Sequence, residues 1–328
     1  MSEAKRLLSS ELPLDAVQGK IREITRHSLA GTPVGEVLDD VLGNPGKMLR
    51  PMFLLLCGSL GPAYEARLDR LCMLAAMVEL THLASLVHDD IADNAQFRRG
   101  KPSIQGKYGK CAAIYAGDLL ISRINLWLAK EGMDEAAQLV STAIENMCLG
   151  EIGQERCKYR PDVTREEYLV NIGGKTASLF QTACLLGARE AACSDKVCET
   201  LSALGREIGI LFQLRDDLLD FDSTEEQEGK ELHKDFRDGI YTLPVIHTMG
   251  LAEGREVLLP LMERSRCETP SEAELMRMEE TVRACGGITA AHQEIRRRAD
   301  ACLALLDSLP DSGATDDMRE MLYGLCQV

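Results

Sequence analysis

Aromatic residues are scarce in this 328-residue chain: Phe, Tyr and Trp make up 4% of it, with a single Trp. Sheets draw much of their stability from aromatic and β-branched cross-strand pairs. None of the long apolar segments alternates with a period of two, so a sheet-based protein is excluded. Cations are the minority charge. Lys and Arg number 37 against 52 Asp and Glu, a net charge of −15, which argues against a protein built mainly to hold nucleic acid. It leaves room for a few clustered cations to bind a small anion. The opening run MSEAKRLLSSELPLDAVQ lacks the apolar core of a secretory signal. The most apolar stretch, Leu71 to Val87, is interrupted by Glu79 and His82 and reads as too short and too polar to span a bilayer. No transmembrane segment and a cytoplasmic location are therefore expected. Cysteine is not lacking, with 12 in all. There is no CxxC pair and no finger-like Cys/His spacing, which fits small core side chains in a reducing compartment better than disulfides or structural zinc.

What is present is helical punctuation. No Gly or Pro occurs between Pro62 and Gly100. Apolar residues recur at three- and four-residue spacings, as in Leu71, Leu74, Ala75, Val78 and then Leu83, Leu86, Val87. The pattern predicts helices over roughly 14–30, 34–42, 47–60, 64–93, 110–131, 134–160, 164–172, 174–190, 194–221, 240–251, 252–265, 271–284, 287–308 and 314–326. Thr164 and Ser194 are capping signals. Gly43-Asn-Pro-Gly46, Gly100-Lys-Pro102, Gly173-Gly174 and the polar run from Ser223 to Gly239 read as breaks. With no linker and no repeat, the expectation is an all-α, single-domain bundle spanning 1–328.

Two segments carry chemistry. LVHDDIADNAQFRRGKPS holds Asp89, Asp90 and Asp93, and FQLRDDLLDFDS holds Asp216, Asp217 and Asp220. Each has the form D-D-x-x-D at the end of an apolar helical run. Residues i and i+4 share a helix face, so Asp89 pairs with Asp93 and Asp216 with Asp220. Three carboxylates on one turn repel one another, and hard oxygen donors at this spacing suit Mg²⁺ completed by waters and substrate phosphates. Two such clusters could hold one pyrophosphate through several ions.

Cations complement them. Arg98 and Arg99 follow the first cluster, Lys47 and Arg50 lie in GKMLRP, and Lys230 sits in the polar run after the second cluster. Lys175 and Thr176 follow Gly173-Gly174 and predict an anion site at a helix N-terminus. Arg offers phosphate a planar fork and Lys a mobile point charge. His82 stands seven residues before Asp89, one turn from Glu79, and Gln213 three residues before Asp216. The first is either a buried core histidine or a ligand-facing one, and the second could aim a carbonyl dipole into a cavity.

With these motifs the sequence resembles the all-trans polyprenyl diphosphate synthases of the polyprenyl synthetase family. The resemblance runs from GKMLRP through ELTHLASLVHDDIADNAQFRRGKPS, AIYAGDLL, GEIGQ, GGKTASLF, FQLRDDLLDF and TLPVI to the GGITAAHQEIRRRADACLALL segment. It implies about a dozen helices around a deep apolar cavity, usually in a homodimer, and head-to-tail condensation of isopentenyl diphosphate onto an allylic diphosphate. It implies that Asp89, Asp90, Asp93, Asp216, Asp217 and Asp220 hold Mg²⁺, three ions per site with substrate bound, together with the allylic diphosphate. Arg98, Lys175 and Lys230 would bind that diphosphate, and Lys47, Arg50, His82 and Arg99 would bind isopentenyl diphosphate. Thr176 and Gln213 would lie near the developing carbocation, with Lys175, Thr176 and Gln213 as the catalytic set. The residues five and four before Asp89, Ala84 and Ser85, are small where bulky side chains stop chain growth early, so a product of geranylgeranyl length or longer is expected.

The chain departs from the family pattern twice: Ile240 stands where Lys is usual in GIYTLP, and His233 replaces a Gly, although Lys230 and Asp235 remain. Weaker allylic binding is expected, with Lys234 as a possible substitute cation. Other readings stay open. A class I terpene cyclase would leave Lys47, Arg50, His82 and Arg99 without a task. A non-catalytic partner subunit usually lacks one aspartate cluster. A catalytic subunit that needs a small regulatory partner is a further alternative. A long product would bring the protein to a membrane surface peripherally.

Overall fold

The structure is a computed structural model that describes residues 11–26, 29, 31–43, 46–222 and 233–326. It is helical almost throughout, in agreement with the all-α expectation. The helices are α1 (Leu14–Arg26), α2 (Pro33–Leu42), α3 (Leu49–Ser59), α4 (Leu68–Ala92), α5 (Ile104–Tyr108), α6 (Lys110–Lys130), α7 (Asp134–Cys157), α8 (Arg165–Ile172), α9 (Ser178–Glu190) and α10 (Asp195–Asp222). The series continues with α11 (Lys234–Arg237), α12 (Leu243–Met249), α13 (Ala252–Ser265), α14 (Glu272–Ala284), α15 (Gly287–Asp307) and α16 (Gly313–Cys326). A two-stranded hairpin of β1 (Phe97–Arg98) and β2 (Lys101–Pro102) interrupts them. The chain divides into two compact units, one drawn from Met1–Ile144, Leu179–Gly205 and Asp307–Met321, the other from Glu145–Ser178, Arg206–Leu306 and Leu322–Val328.

In the first unit, α4 is the central element and packs against α1, α3 and α6. Its sequence explains this: from Leu71 to Leu80 every residue is buried, including Glu79. A helix apolar all round must be enclosed. By length and composition α4 and its preceding turn would pass for a membrane span, and so would α6, contrary to the expectation drawn from Glu79 and His82. The apolar window of α4 is 78% buried inside the protein, as befits a core helix, whereas that of α6 is only 39% buried. The outward side of α6 carries Ile114, Tyr115 and Leu126. The twelve cysteines are free thiols.

In the second unit α12 packs against α8, α13 and α14. α8 opens with a full capping box, Thr164 accepting from the Glu167 amide and Glu167 from that of Thr164, which satisfies two otherwise orphaned donors. The predicted break at Gly173-Gly174 does not occur. Ile172, Gly173 and Ser178 are all right-handed helical, and a single π-turn over Gly173–Ala177 joins α8 to α9. The helix start predicted at 240 shifts to Leu243, with Pro244 within its first turn and Thr242 before it. The short helices α5 and α11 and the hairpin were not foreseen.

Candidate functional site

The first unit contains an acidic cluster and a cationic pocket. At the end of α4, Asp89 is half-buried, Asp90 buried and Asp93 exposed. Asp90 Oδ1 accepts from Arg98 Nε at 2.8 Å, and the Asp90 carbonyl accepts from Gln105 Nε2 at 2.6 Å. Burial pushes the Asp90 carboxyl up and Arg98 pulls it back. The middle aspartate is thus tied to the protein, while Asp93 faces solvent.

Arg98 and Arg99 are neighbours in sequence but not in task. The hairpin turns at Arg99 and Gly100, both left-handed with φ of 51° and 74°. This is the two-residue turn that a tight hairpin needs, and it normally wants Gly or Asn. An Arg in this conformation costs roughly 1 kcal/mol and sends the two guanidinium groups to different places. That of Arg99 reaches Gly46, where a Cβ would come within 3.4 Å of Arg99 Nη1 and 3.9 Å of Glu79 Oε1. Exposed Lys47 follows, and then Met48, another left-handed residue, with φ 56°, at the start of α3. Non-Gly residues held this way concentrate at functional sites.

Around this point lie Arg50, His82, Arg99 and Glu79, with exposed Lys47 next to Gly46 in the chain. Arg50 is 9% exposed and lies over the Phe180 ring at 4.4 Å. Its Nε has no hydrogen-bond partner. Burial brings its guanidinium down to about 10, still a cation at neutral pH, with Glu79 opposing the shift. Burial, then Arg50, Arg99 and Arg98, hold the His82 imidazole well below its ordinary value, so it is neutral and can donate one N–H. Glu79, 2% exposed, is the counter-ion that sequence reasoning missed. Burial raises it while Arg50 and Arg99 lower it. Its only sequence signal was a carboxylate on an otherwise apolar helix. Ala84 is 1% exposed, and half-buried Ser85 bonds to the His82 carbonyl at 2.8 Å.

The second unit holds the other acidic cluster. On α10, Asp216 is exposed, Asp217 buried and Asp220 half-buried. Asp217 accepts from Tyr168 Oη at 2.5 Å and from Gln213 Nε2 at 2.7 Å. Burial lifts its carboxyl to about 6, against those two donors and Lys175. Asp220 Oδ1 accepts from the Lys234 amide at 3.2 Å. Asp235 is a further carboxylate here, raised well above its usual value by burial and then by Asp217, Asp220 and Asp216.

Lys175 and Thr176 lie inside the π-turn, so the expected helix N-terminus with free amides is absent. Such bulges often sit at functional sites. Gly150 and Gly174 let α7 and the π-turn meet backbone to backbone: a Cβ on Gly150 would lie 2.3 Å from the Lys175 amide nitrogen. That approach sets Lys175 Nζ 3.0 Å from Glu151. Thr176 Oγ1 donates to Gln213 Oε1 at 2.6 Å. The Gln213 carbonyl therefore faces Thr176.

His233 explains one departure in the sequence. Its φ of 56° is the conformation for which Gly is the usual choice. Here the strain is offset by contacts: Nε2 lies 3.2 Å from Glu279 and the ring 5.7 Å from that of Phe221. Lys234 Nζ pairs with Asp238 at 2.8 Å. Half-buried Ile240 brings no charge. Lys230 lies outside the described residues.

The acidic residues fit Mg²⁺. Asp220 Oδ2 is buried with no hydrogen-bond partner, an oxygen shaped for a cation. Among the described residues no three His, Cys, Asp or Glu side chains already close on one point. An ion that keeps several waters and takes phosphate oxygens needs no closed cage.

Comparison with known proteins agrees with this chemistry. The sequence pattern described as polyprenyl synthetase matches residues 32–278. Component 2 of the heptaprenyl diphosphate synthase of Geobacillus stearothermophilus is 35% identical over 289 residues, 88% of each chain. The octaprenyl diphosphate synthase of Escherichia coli K12 is 31% identical over 324 residues, 94% of this chain and 97% of that one. Among solved structures, a polyprenyl synthase from Caulobacter crescentus, complexed with calcium and isoprenyl diphosphate, superposes with a TM-score of 0.89. It is 28% identical, over 99% of this chain and 98% of that one.

Proposed function

Because the chain belongs to the polyprenyl synthetase family and is an all-trans polyprenyl diphosphate synthase, we propose that it condenses isopentenyl diphosphate head to tail with an allylic diphosphate in a Mg²⁺-dependent reaction. One observation carries the reading. The first unit has two distinct groups, an aspartate cluster beside Arg98 suited to a metal-bound diphosphate and, apart from it, the cations Arg50 and Arg99 beside His82, with Lys47 close by in sequence. A terpene cyclase has one diphosphate to bind and needs no second pocket.

Asp89, Asp93, Asp216 and Asp220 are the proposed metal-holding carboxylates: both oxygens of Asp217 and one of Asp90 accept protein donors, whereas Asp220, bonded through Oδ1 to the Lys234 amide, keeps Oδ2 without a partner. Arg98, Lys175 and Lys230 take the allylic diphosphate. Lys47, Arg50 and Arg99 take the diphosphate of isopentenyl diphosphate, with neutral His82 donating a hydrogen bond. Bound Mg²⁺, three ions with substrate, supplies Lewis acidity toward the leaving diphosphate. The cations favour the transition state because charge grows on that group as the allylic C–O bond breaks. The Gln213 carbonyl and the Thr176 oxygen present negative dipoles suited to the allylic cation. Apolar side chains exclude water. The isopentenyl double bond then forms the new C–C bond, and the adjacent C–H proton passes to the released diphosphate, so no side-chain base is needed.

Small Ala84 and Ser85 support a product of geranylgeranyl length or longer, and the heptaprenyl and octaprenyl synthases among the relatives favour the longer end. The exposed apolar side of α6 suits a second copy of the chain in a homodimer. The component 2 relative supports one specific alternative, a small partner subunit. A cytoplasmic protein touching membranes peripherally fits so long a product.

The test is incubation of purified protein with Mg²⁺, isopentenyl diphosphate and, separately, dimethylallyl, geranyl, farnesyl or geranylgeranyl diphosphate, with products sized by mass spectrometry. Elongated diphosphates that vanish with EDTA and in Asp89→Ala are expected. Cyclic hydrocarbons from an allylic substrate alone would overturn the reading. Elongation only after a partner is added would establish the heteromeric form.

A further inference from the structure

The reaction as described has no use for Tyr168, yet a chain of hydrogen bonds begins there. Tyr168 lies on α8, 6% exposed, and donates to Asp217 Oδ2 at 2.5 Å. Asp217 Oδ1 accepts from Gln213 Nε2 at 2.7 Å. Gln213 Oε1 accepts from Thr176 Oγ1 at 2.6 Å. A carboxylate only accepts. Tyr168 must therefore be the donor, and the amide edge of Gln213 facing Asp217 must be its NH₂. That fixes the Gln213 carbonyl toward Thr176, and with it the direction of the Thr176 hydroxyl proton. Each link determines the next. Burial, Asp217 and Asp235 hold the Tyr168 hydroxyl well above its ordinary value, so it remains a donor throughout the working range of pH.

Asp217 is ill placed to do a second job. It is 6% exposed and both its oxygens are engaged by protein donors. Asp216 is exposed, and Asp220 keeps an oxygen without a partner.

We propose that Tyr168 is a positioning residue for the prenyl transfer step: by holding Asp217 as a hub, it sets the Gln213 carbonyl and the Thr176 hydroxyl. Asp217 serves this network and leaves metal binding to Asp216 and Asp220. The proposal rests on the functional reading above, because Gln213 and Thr176 matter only if a cation develops beside them. It predicts a separation of effects that general loosening of the unit would not give.

The experiment compares wild type, Tyr168→Phe, Asp217→Asn, the double variant and Asp216→Ala in the full chain. Electron paramagnetic resonance follows binding of Mn²⁺ with inorganic pyrophosphate, steady-state kinetics follows elongation, and circular dichroism checks folding. For Tyr168→Phe, kcat should fall about tenfold or more, the scale for losing a group that orients an active residue. KM for both substrates and Mn²⁺ affinity should stay within about twofold of wild type. Asp217→Asn should behave alike, and the double variant should be no slower than the slower single one. Asp216→Ala should lose Mn²⁺ affinity. A wild-type kcat in Tyr168→Phe, a loss of Mn²⁺ affinity in step with its kcat, or additive effects in the double variant would each overturn the proposal. If Tyr168→Phe does not fold, Asp217→Asn decides, since its Mn²⁺ affinity must match wild type. Failure of the functional reading is seen elsewhere, as a wild type that makes no elongated product or an Asp89→Ala variant that still does.

Discussion

The two aspartate clusters share a motif and neutralise their buried member differently. Asp90 is met by a guanidinium eight residues along the chain, a charge-assisted bond of the stronger kind. Asp217 is met by neutral donors, one of them 49 residues away. Neutral donors do not cancel the cost of burying a charge, and the carboxyl rises to about 6. The surroundings differ in the same sense. Arg50, Arg98 and Arg99 act on His82 in the first unit, whereas the second adds Asp235 and ties Lys175 to Glu151. The first unit surrounds its cluster with guanidinium groups, whereas the second adds a further carboxylate. The motif fixes which residues face outward; the neighbours fix what each cluster prefers.

The strongest way to break this comparison is to remove an outward carboxylate from each cluster. Asp89→Ala and Asp216→Ala should each lower kcat/KM by about a thousandfold or more, roughly 4 kcal/mol of transition-state stabilisation. A variant within tenfold of wild type would remove that cluster from the reaction. Next is Glu79→Ala, which leaves Arg50 and Arg99 without their buried counter-ion. The fold should lose about 3 kcal/mol, read as a lower urea midpoint.

The pH dependence of the metal-free fold separates two buried carboxylates of the second unit. Asp217 titrates at about 6, above the ~3.9 of an unfolded aspartate. Its ionisation therefore destabilises the fold progressively as pH rises from about 4 to about 6, and Asp217→Asn should lack that fall in melting temperature. Glu294 is the opposite case. Burial would raise it, but Arg297 and Arg298, with Arg165 nearby, bring it to about 2. Its stabilising contribution is complete above pH about 4.5 and is lost as pH falls toward 2. Glu294→Gln should flatten stability in that lower window only. The smallest effect expected is that of Ile240→Lys, a cation added near the carboxylate-rich second cluster. KM for farnesyl diphosphate should fall severalfold, by roughly 1 kcal/mol; an unchanged KM would show that the second unit does not lack a cation there.

Much of this was legible in the sequence, and the failures have physical causes. Long helices announced themselves by period, α4 among them. The i, i+4 logic set Asp89 with Asp93 and Asp216 with Asp220, apart from buried Asp90 and Asp217. The hairpin was not legible because its strands are two residues long and its first turn residue is Arg99, which forgoes the glycine such a turn prefers. A glycine pair reads as a break, yet Gly173 and Gly174 keep helical geometry because Gly174 must pass Gly150 without a side chain. For α5 a signal existed, since Ser103 caps it by accepting from the Gly106 amide. Tyr168 and Glu151, and the partners of Glu79, escaped notice because the partners are distant in sequence, and no spacing rule pairs residues 49 or 24 apart.

In the proposed reaction Arg98 and Arg99, split by one strained turn, serve two different diphosphates. Steady-state kinetics of Arg98→Ala and Arg99→Ala, each with isopentenyl and farnesyl diphosphate varied in turn, tests it most directly. A crossed result is expected: Arg99→Ala raises KM for isopentenyl diphosphate by about tenfold or more and leaves that for the allylic substrate within about twofold, and Arg98→Ala does the reverse. Both variants raising KM for the same substrate would contradict it.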